Sequence, residues 1–506
     1  MQDGTTKRAV PLSHLAEAVT GAALVGKGDA TLVTGVEYDS RQVGPGSLFV
    51  AVSGEKFDGH AFVTQAVAAG AAAVVVQEGL FGGPGPFPVP LMTVPDTRRA
   101  LAPLACRFWD DPTSRLYLAG VTGTNGKTTT TLMIDSIARA AGDTTGTIGT
   151  LGATVADHAL PGDRTTPEAP DLQRLFAQML GAGATSAAIE VASHALALGR
   201  TEGCLFDVGV FTNLTQDHLD FHGTMEIYRD AKGLLFTHHA EAARAAGKDF
   251  TAVLNADDRA AAFYAARTPA SRTLTYGVES PAADIRPEGV TLAVDHIRFT
   301  ARTPGGSVPV RLGFGGTFNV ANALAAIGYG TARGLSPEII AAGLADCPPV
   351  PGRFQPVRAG QDFAVLVDYA HTPDGLENVL RSARPLTTGR LIVVFGCGGN
   401  RDRTKRPQMG RLARDLADIA IVTSDNPRRE EPEAIIDEIL TGMDGASGAA
   451  VYRESDRRAA IALAVAAARP GDTVVVAGKG HENYQILGDQ TIHFDDVEVA
   501  SEEIRR

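Results

Sequence analysis

Short runs of apolar, β-branched residues alternate along the chain with Ala-, Leu- and Arg-rich stretches that have helical spacing. Each apolar run ends in a glycine-rich or polar turn, and the stretch after it is typical of a helix. Strands that alternate with helices in this way predict largely parallel sheets joined by helical crossovers. The predicted strands are residues 116–121, 187–191, 208–211, 364–367, 391–395, 419–422 and 473–477.

A polar stretch and a proline-rich stretch interrupt this alternation. Residues 110–113 read Asp-Asp-Pro-Thr and residues 348–352 read Pro-Pro-Val-Pro-Gly, which favours turns and disfavours continuation of a helix. A chain of 506 residues with 44% hydrophobic residues exceeds one compact core, because domains usually hold about 100–200 residues. We therefore predict an α/β protein of three domains: residues 1–112, 113–348 and 349–506.

Charge and cysteine usage narrow the class of protein. The formal net charge of −12 argues against a broad nucleic-acid surface, although local cations can still bind small anions. The first ten residues lack an apolar signal core, and no run of about 18 apolar residues follows. We expect a soluble protein of the cytoplasm with no membrane span.

The chain has four cysteines, Cys106, Cys204, Cys347 and Cys397. They are far apart and form no CxxC pair, which indicates neither a disulfide framework nor a zinc site.

A phosphate-binding loop is predicted directly after the strand at 116–121. Residues 122–129 read Thr-Gly-Thr-Asn-Gly-Lys-Thr-Thr, and helical spacing follows over residues 130–141. Glycines let backbone N–H groups surround phosphate oxygens, the lysine reaches the terminal phosphates, and the next hydroxyl ligates magnesium. The usual pattern has glycine where this chain has Val121. The alternative to a phosphate loop is a glycine turn that only joins the strand to the helix. The predicted nucleotide contacts are Gly123, Thr124, Asn125, Gly126, Lys127, Thr128 and Thr129.

Acidic and histidine side chains follow the next two predicted strands. Glu190 and then Ser193 come at the end of the strand at 187–191, where a P-loop enzyme presents an acidic magnesium partner. Residues 217–223 read Asp-His-Leu-Asp-Phe-His-Gly after the strand at 208–211. Glu190 alone suits a capping group equally well, and an isolated Asp-His pair favours a turn. The dense set of polar groups around His218 indicates a site instead.

In their order and spacing these motifs resemble those of the Mur ligase family, in particular its tripeptide-forming members. The resemblance extends over nearly the whole chain. It implies an N-terminal UDP-binding domain, a central P-loop ATPase domain and a Rossmann-like C-terminal domain that binds an amino acid. Further matching segments are Asp39-Ser40-Arg41, Gly54, Asp58-Gly59-His60, Thr165-Thr166-Pro167, Asn255-Ala256-Asp257-Asp258, Gly316-Thr317-Phe318-Asn319, Gly352-Arg353 and Asp368-Tyr369-Ala370-His371-Thr372-Pro373.

The chemistry that the resemblance implies is ATP-dependent amide formation in peptidoglycan synthesis. ATP phosphorylates a carboxylate of UDP-N-acetylmuramoyl-L-alanyl-D-glutamate, and the amine of a diamino acid attacks the acyl phosphate and expels phosphate. Magnesium must neutralise the phosphate oxygens. By motif position, Thr128 and Glu190 are expected at one magnesium ion, and His218 with Glu190 at a second. Lys127, Glu190 and His218 are therefore expected to be catalytic.

Lys232 lies fourteen residues beyond His218, and the matching lysine of the family is carbamylated. Carbamylation turns a cation that repels magnesium into an anion that helps to hold it. A lysine on a helix is otherwise most often a solvated surface residue. With the resemblance, we expect a carbamylated Lys232 as a further catalytic residue and metal ligand.

The resemblance also assigns the remaining contacts to ATP and to the UDP-linked substrate. The residues expected near ATP are Asn319, Arg353, Asp368 and His371, for which loop capping or salt bridging is an equally good explanation. The residues expected at the UDP-linked substrate are Ser40, Arg41, Thr165, Thr166, Ser193 and Arg200. Hydroxyl and guanidinium groups suit phosphates and sugars, but they also suit turns.

Polar motifs at the predicted C-terminal strand ends indicate an amino-acid site, because ligands collect there in α/β sheets. The loop at 396–402 is too irregular for a dinucleotide fingerprint. In the family, Asp-Asn-Pro-Arg accompanies meso-2,6-diaminopimelate, whose second carboxylate an arginine can pair. L-Lysine and L-ornithine lack that carboxylate and are the alternative substrates. The alternative role of Arg428 is to hold a loop by a salt bridge. The expected contacts are Arg401, Asp425, Asn426, Pro427, Arg428, Gly478 and Glu482.

Two other functions share parts of this pattern. A folylpolyglutamate synthase has the same P-loop ligase plan, but the segment before the P-loop, with Asp39-Ser40-Arg41, favours a UDP-substrate domain. A non-enzymatic nucleotide switch would need no amino-acid motifs at the C-terminal strand ends. ATP hydrolysis that requires both a UDP-muramoyl dipeptide and an amino acid would separate these functions.

Overall fold

The computed structural model describes residues 8–26, 30–54, 57–80, 87–161, 164–444 and 448–506. The chain divides into two compact units, Met1–Tyr276 with Gly328–Arg333 and Gly277–Ile327 with Gly334–Arg506. Both units combine helices with sheets, so the predicted α/β class is confirmed. The predicted domain boundaries at residues 112 and 348 stay predictions. Among the described residues, no helix has the length and apolar character needed to cross a membrane.

The first unit begins with a small mixed sheet. Strands β4 to β7 run parallel to one another, and β2 pairs antiparallel with β7 at the edge. Residues 73–76 of β6 are buried, as the inner strand of a covered parallel sheet requires. The strands are β1 (Val10–Pro11), β2 (Ala23–Val25), β3 (Leu32–Val33), β4 (Gly35–Glu37), β5 (Ser47–Val50), β6 (Ala73–Gln77) and β7 (Leu91–Val94), and the helices are α1 (Leu12–Ala16), α2 (Val63–Ala68) and α3 (Thr97–Trp109).

The larger sheet of this unit has the strand order β11-β10-β9-β12-β8-β13-β14-β15. The six strands β9, β12, β8, β13, β14 and β15 run parallel to one another in the sheet. Beyond β9, strands β10 and β11 extend the sheet as antiparallel strands. The strands are β8 (Tyr117–Thr122), β9 (Thr145–Gly149), β10 (Gly152–Val155), β11 (His158–Leu160), β12 (Ser186–Glu190), β13 (Val208–Phe211), β14 (Thr251–Asn255) and β15 (Arg272–Tyr276). The helices are α4 (Lys127–Ala140), α5 (Ala169–Gly181), α6 (Ser193–Ala197), α7 (Leu219–His222), α8 (Met225–Gly233), α9 (His238–Ala245) and α10 (Ala260–Ala265).

Helix α4 begins three residues before the predicted start at 130. Gly126 has a φ of 84° and precedes the helix, so the chain turns directly into helix at Lys127. The predicted start lay at residue 130 because residues 122–129 were assigned to the phosphate loop. The end of that motif also forms the first turn of the helix, where Thr128 and Thr129 are buried.

The second unit contains a six-stranded, mostly parallel sheet, a three-stranded antiparallel sheet and a two-stranded antiparallel sheet. The parallel sheet has the order β19-β20-β24-β21-β22-β23, with only β19 antiparallel among its described strands. The strands are β16 (Arg286–Leu292), β17 (Ile297–Thr303), β18 (Gly306–Leu312), β19 (Gln355–Pro356), β20 (Ala364–Asp368), β21 (Leu391–Phe395), β22 (Ile419–Val422), β23 (Ala450–Arg453), β24 (Thr473–Ala477), β25 (Tyr484–Leu487) and β26 (Gln490–His493). The helices are α11 (Phe318–Ala332), α12 (Pro337–Asp346), α13 (Pro373–Ala383), α14 (Lys405–Leu416), α15 (Pro432–Leu440), α16 (Arg457–Ala467) and α17 (Asp496–Arg505).

The antiparallel sheet of β16, β17 and β18 was not among the predicted strands. Its central strand buries every second side chain, Ile297, Phe299 and Ala301, which is the alternation of a half-buried strand. Continuous apolar runs predict fully buried strands, and this half-buried strand contains no such run.

Candidate active site

The segment after β13 fixes the shape of the predicted phosphate loop. The backbone N–H of Thr124 donates to the carbonyl of Asn213 at 2.8 Å, and the N–H of Asn125 donates to the Asn213 side chain at 2.9 Å. The Thr212 hydroxyl donates to the Asn125 carbonyl at 2.6 Å. A Cβ on Gly123 would lie 1.8 Å from the Thr212 hydroxyl oxygen. Glycine is therefore required at position 123 for the two segments to approach.

Two lysines converge on one carbonyl oxygen of this loop. Lys127 Nζ donates to the carbonyls of Gly123 at 2.9 Å and Thr124 at 2.8 Å. Lys232 Nζ, from α8, donates to the same Gly123 carbonyl at 2.8 Å and lies 4.4 Å from the ring centroid of Tyr228. Lys232 is 1% exposed, so it is not a solvated surface residue. Its burial, and then the positive charge of Lys127, hold the pKa of Lys232 well below the usual lysine value.

Glu190 is buried at the end of β12, where both of its carboxylate oxygens accept hydrogen bonds from Thr150. The distances are 2.8 Å from the Thr150 backbone N–H and 3.1 Å from its hydroxyl. A Cβ on Gly149 would lie 2.3 Å from Glu190 Oε1. Gly149 and Thr150 were not predicted as site residues. Their position at the end of β9, the parallel neighbour of β12, was the available signal.

Three histidines cluster beside Glu190's strand, and burial lowers the pKa of each. The ring centroids of His194 and His218 are 4.7 Å apart, and His222 Nε2 is 2.9 Å from the Ser193 hydroxyl. Burial, followed by the like charges of His218 and His222, lowers the pKa of His194 to about 4. Burial also lowers the pKa values of His218 and His222. Neutral imidazoles are the form that binds metal ions.

One cavity of about 440 Å³ brings together predicted residues from separate segments of the first unit. The Thr166 hydroxyl, at its wall, donates to the Glu190 carbonyl at 2.7 Å. Lys127, which is predicted at the nucleotide, therefore faces the same cavity as the residues predicted at the UDP-linked substrate, Thr165, Thr166, Ser193 and Arg200. The predicted residues that line it are Lys127, Thr165, Thr166, Ser193, Arg200, His218 and Lys232.

The side chains predicted to hold magnesium are chemically suited to an ion shared with phosphate groups. Within the described ranges, no three His, Cys, Asp or Glu side chains gather closely enough to hold a metal ion by themselves. Magnesium prefers oxygen donors and is usually bound by one or two carboxylates together with waters and substrate phosphates. Glu190 supplies a carboxylate and Thr128 a hydroxyl. Carbamylation of Lys232 would add a second anionic oxygen donor.

Ser40 and Arg41, predicted at the UDP-linked substrate, lie in the turn after β4, outside the lining of this cavity. Arg41 is highly exposed and forms an ion pair with Asp39 at 2.6 Å. Two residues earlier in sequence than Ser40, the Tyr38 hydroxyl donates to Asp171 of α5 at 2.8 Å. This hydrogen bond ties the segment to the helix that follows the cavity wall.

In the second unit, two of the side chains predicted near ATP already have structural partners. The Asp368 carboxylate accepts the backbone N–H groups of Phe354 at 2.7 Å and Ala370 at 2.9 Å, and burial raises its pKa. The Asn319 amide is buried and donates to the Gly315 carbonyl at 2.7 Å. These contacts hold loops. The hydrogen bonds of both residues are those of side chains that hold a loop in place.

The other two residues predicted near ATP pack around one tyrosine. The Arg353 guanidinium carbon lies 5.0 Å from the ring centroid of Tyr369, and the His371 ring lies 4.6 Å from the same ring. His371 Nδ1 is 2.9 Å from the Tyr369 carbonyl oxygen, and burial lowers the pKa of His371. The Arg353 cation, the His371 imidazole and the Tyr369 ring therefore adjoin one another near the carboxyl end of β20.

Predicted amino-acid contacts meet at the carboxyl ends of β22 and β24. The Asn426 amide donates to Glu482 Oε2 at 2.9 Å. Lys479, which was not predicted, is fully buried with Nζ 3.4 Å from both the Asn426 amide oxygen and Glu482 Oε2. Burial lowers the pKa of Lys479. Gly478, next to Lys479, has a φ of 119° and approaches the Asp425 carboxylate closely.

The two predicted arginines of this region differ in how they are held. Arg428 has a φ of 54°, and its guanidinium donates to the Gly399 carbonyl at 2.9 Å. Arg401 is exposed. The fully buried Arg406 forms an ion pair with Glu430 at 2.9 Å and ties the glycine-rich loop to the segment that carries Arg428.

A buried ion pair underlies both amino-acid motifs. Arg457 and Asp496 are each fully buried, with 2.6 Å between Nη2 and the carboxylate. The Arg457 guanidinium also donates to the Ser424 carbonyl at 3.2 Å and the Ala477 carbonyl at 3.1 Å. These two carbonyls directly precede the motifs after β22 and β24. The pair therefore holds two neighbouring strand ends at a fixed separation.

Comparison with known proteins identifies the family over most of the chain. The Mur ligase family catalytic domain matches residues 32–109, the Mur ligase middle domain residues 121–330, and the Mur ligase glutamate ligase domain residues 352–480. The chain is 48% identical over 468 residues to the UDP-N-acetylmuramoyl-L-alanyl-D-glutamate--2,6-diaminopimelate ligase of Geobacillus thermodenitrificans (strain NG80-2). That match covers 92% of this chain and 94% of the relative.

Solved structures share the fold. One, of a UDP-N-acetylmuramoyl-L-alanyl-D-glutamate--2,6-diaminopimelate ligase, is 34% identical with a TM-score of 0.69, over 95% of this chain and 96% of that chain. A Mycobacterium tuberculosis folylpolyglutamate synthase complexed with ADP and AMPPCP is 19% identical with a TM-score of 0.61, over 76% of this chain and 92% of that chain. The predicted family and the predicted three-domain α/β fold are confirmed. With this identity over nearly its whole length, the chain belongs to the Mur ligase family.

Proposed function

We propose that this protein is a cytoplasmic ATP-dependent ligase that adds meso-2,6-diaminopimelate to UDP-N-acetylmuramoyl-L-alanyl-D-glutamate in peptidoglycan synthesis. The observation that carries the proposal is the shared cavity, which Lys127 of the phosphate loop lines together with Thr165, Thr166 and Arg200. A phosphate donor and a carboxylate acceptor need such a common volume. The name of the 48% identical relative supports the choice of substrates.

In the first step, an oxygen of the acceptor carboxylate attacks the γ-phosphorus of ATP, and the bond from that phosphorus to the ADP oxygen breaks. The reacting groups are both anions and repel each other unless cations intervene. Lys127 and Arg200 provide positive charge in the cavity. The phosphate loop from Gly123 to Thr129 holds the nucleotide through backbone N–H groups at the start of α4.

Thr128, Glu190, His218 and a carbamylated Lys232 would hold magnesium, which when bound would neutralise phosphate charge. Thr150 keeps the Glu190 carboxylate in place through two hydrogen bonds. A carboxylate has further lone pairs beyond those two, so Glu190 can still serve as a ligand.

Lys232 is set up for carbamylation by its surroundings. Burial and Lys127 favour its neutral amine, and the neutral amine is the form whose nitrogen attacks carbon dioxide. The new N–C bond gives a carbamate and releases a proton. A positive charge that Lys127 would repel becomes a negative one that Lys127 attracts.

In the second step, the amine of the diamino acid attacks the carbonyl carbon of the acyl phosphate. The carbon–oxygen bond to phosphate then breaks, the nitrogen loses a proton, and an amide and inorganic phosphate remain. Water must be excluded, because it would hydrolyse the acyl phosphate without forming a peptide.

Selection of the diamino acid falls to the polar groups after β22 and β24. Asp425 and Glu482 provide anions for the ammonium groups, and Arg401 and Arg428 provide cations for the carboxylates. Asn426 and Pro427 shape the segment, and Gly478 leaves room for close approach. L-Lysine and L-ornithine lack the second carboxylate, so they would leave an arginine unpaired and are the second candidates.

The remaining predicted contacts belong to the same proposal. By the family resemblance, Arg353 and His371 are assigned to ATP binding, and the hydrogen bonds of Asn319 and Asp368 hold their own loops in the second unit. Thr165, Thr166, Ser193 and Arg200 bind the peptide portion of the acceptor. The UDP portion is assigned to Ser40 and Arg41 in the turn after β4.

The test is a product assay with the purified full-length chain. The protein is incubated with ATP, magnesium and UDP-N-acetylmuramoyl-L-alanyl-D-glutamate, and meso-2,6-diaminopimelate, L-lysine or L-ornithine is added separately. Mass spectrometry of the nucleotide product then identifies the amino acid added. A product with meso-2,6-diaminopimelate is expected, and a product only with lysine or ornithine would overturn the specificity. No tripeptide with any of the three would overturn the ligase assignment.

A further inference from the structure

A buried carboxylate that the sequence motifs did not single out gathers arginines from separate segments. Glu168, directly before α5, is 5% exposed. Its Oε2 lies 2.8 Å from the Arg98 guanidinium of α3, and its Oε1 lies 2.9 Å from Arg200 and 3.2 Å from Arg164. The three described arginines therefore meet at one carboxylate.

Among the described residues that meet at this point, positive charge exceeds negative charge. One carboxylate faces three guanidinium groups, which leaves two positive charges in excess. Arg164 and Arg200 line the same cavity as Lys127, whereas Arg98 lies outside its lining. The excess charge on the cavity side suits an anion brought by a ligand.

Glu168 also restricts the direction in which Arg200 can point. The Arg200 guanidinium is held by charge attraction to Glu168, whose Oε1 lies 2.9 Å from Nε without hydrogen-bond geometry, and by a hydrogen bond from Nη1 to the Thr166 carbonyl at 3.3 Å. These two contacts limit the positions that the guanidinium can take at the cavity wall. Arg98 fixes the other oxygen of Glu168, so the carboxylate itself cannot rotate freely.

We infer that Glu168 is a positioning residue for the acceptor substrate, acting through Arg200 and Arg164. It holds these guanidinium groups where the carboxylate of the UDP-linked acceptor must lie for phosphorylation. Arg98 connects this arrangement to the N-terminal sheet through α3. The inference rests on the proposed ligase function, and it adds a residue that does not itself touch the substrate.

The test compares steady-state kinetics of the full-length enzyme and Glu168→Gln, varying each substrate in turn. The substitution keeps the shape of the side chain and removes its charge. The KM for the UDP-linked acceptor is expected to rise by roughly tenfold or more, while the KM values for ATP and the diamino acid change less than about twofold. An unchanged acceptor KM, or an equal rise for all three substrates, would overturn the inference.

Asp207→Asn is the matched control. Asp207 is a buried carboxylate, as Glu168 is, and also joins two segments, because it accepts from the Leu118 backbone N–H at 2.7 Å and from Lys248 Nζ at 2.8 Å. It does not line the cavity. The substitution is expected to change the acceptor KM less than about twofold. A rise as large as that of Glu168→Gln would assign the effect to general loosening of the first unit.

A double-mutant cycle separates positioning from simple structural support. If Glu168 acts through Arg200, then Glu168→Gln adds almost nothing in an Arg200→Gln background. Fully additive effects would overturn the inference. Should Glu168→Gln fail to fold, Glu168→Asp keeps the charge and shortens the reach, and the same selective rise in acceptor KM is expected. Failure of the proposed function would differ, because the unaltered enzyme would then form no tripeptide.

Discussion

The side-chain nitrogens of Lys127 and Lys232 share one hydrogen-bond acceptor, the carbonyl oxygen of Gly123, at 2.9 and 2.8 Å. Burial imposes a desolvation cost on a charged Lys232, and the positive charge of Lys127 on the same carbonyl adds repulsion. The pKa of Lys232 is held well below its usual value for these reasons. The site therefore favours a modification that removes the positive charge of Lys232.

The first prediction is that Lys232 carries a carbamate in solution. Protein equilibrated with ¹³C-bicarbonate is expected to show a carbamate resonance by NMR, which Lys232→Arg abolishes because arginine does not form the adduct. Ligase activity of Lys232→Arg is expected to fall by roughly 10–100-fold. Lys248→Arg is the control, since Lys248 is already paired with Asp207 at 2.8 Å. A resonance that survives in Lys232→Arg would contradict the assignment.

A second prediction concerns the glycine that leaves room for Glu190. In Gly149→Ala the new Cβ would lie 2.3 Å from Glu190 Oε1, so the carboxylate must move away from Thr150. Activity is expected to fall by roughly 10–100-fold, with a higher magnesium requirement. Gly181→Ala, where a Cβ meets nothing within 4 Å, is expected to retain activity. Retained activity in Gly149→Ala would show that the present position of Glu190 is dispensable.

The amino-acid site yields a third prediction from two adjacent arginines. Arg428 is held by the Gly399 carbonyl, whereas Arg429 is largely exposed and pairs with the exposed Asp489. Arg428→Ala is expected to raise the KM for meso-2,6-diaminopimelate by roughly tenfold or more without changing the KM for ATP. Arg429→Ala is expected to change either value less than about twofold. Equal effects of the two substitutions would remove the case for Arg428 in specificity.

A fourth prediction concerns the pH dependence of stability. Burial raises the pKa of Glu37 to about 7, with Arg174 opposing the rise and Asp171 and Asp39 adding to it. In the unfolded chain this carboxyl titrates near 4.5. The neutral Glu37 carboxyl therefore contributes to the stability of the folded protein. This contribution is fully present below pH 4.5 and is lost as the pH rises through 7.

Because of Glu37, the free energy of unfolding is predicted to fall by about 3 kcal/mol between about pH 4.5 and pH 8. Glu37→Gln should lack it, so the variant gains stability relative to the unaltered protein as the pH rises. Free energies of unfolding from urea titrations at about pH 5 and about pH 8 provide the measurement. Glu226→Gln, at an exposed position, should leave the pH dependence unchanged. A Glu37→Gln variant with the unaltered pH dependence would contradict the assignment.

The strands and the phosphate loop were predictable because their signals are local. The seven predicted strands are all present within about one residue of their predicted bounds. Continuous apolar runs identify buried parallel strands. The strand Ile297–Thr303 alternates buried and more exposed side chains, so it lacks the continuous apolar run that identifies the buried strands.

The supporting contacts of the site were not predictable, since they join residues far apart in sequence. Thr150 and Glu190 are 40 positions apart, and Arg98 and Glu168 are 70 positions apart. No local spacing encodes such a pair, because the sheet order decides which strand ends become neighbours. The burial of Lys232 likewise depends on how α8 packs against the phosphate loop.

The ion pair of Arg457 and Asp496 has a consequence for how this protein can be shortened or divided. Asp496 begins helix α17, so a chain cut before that helix would leave a fully buried guanidinium without its counter-charge. Expression of the C-terminal sheet as an isolated fragment must therefore retain α17. A fragment that ends before α17 would be expected to aggregate, although every motif proposed to contact the amino acid would still be present in it.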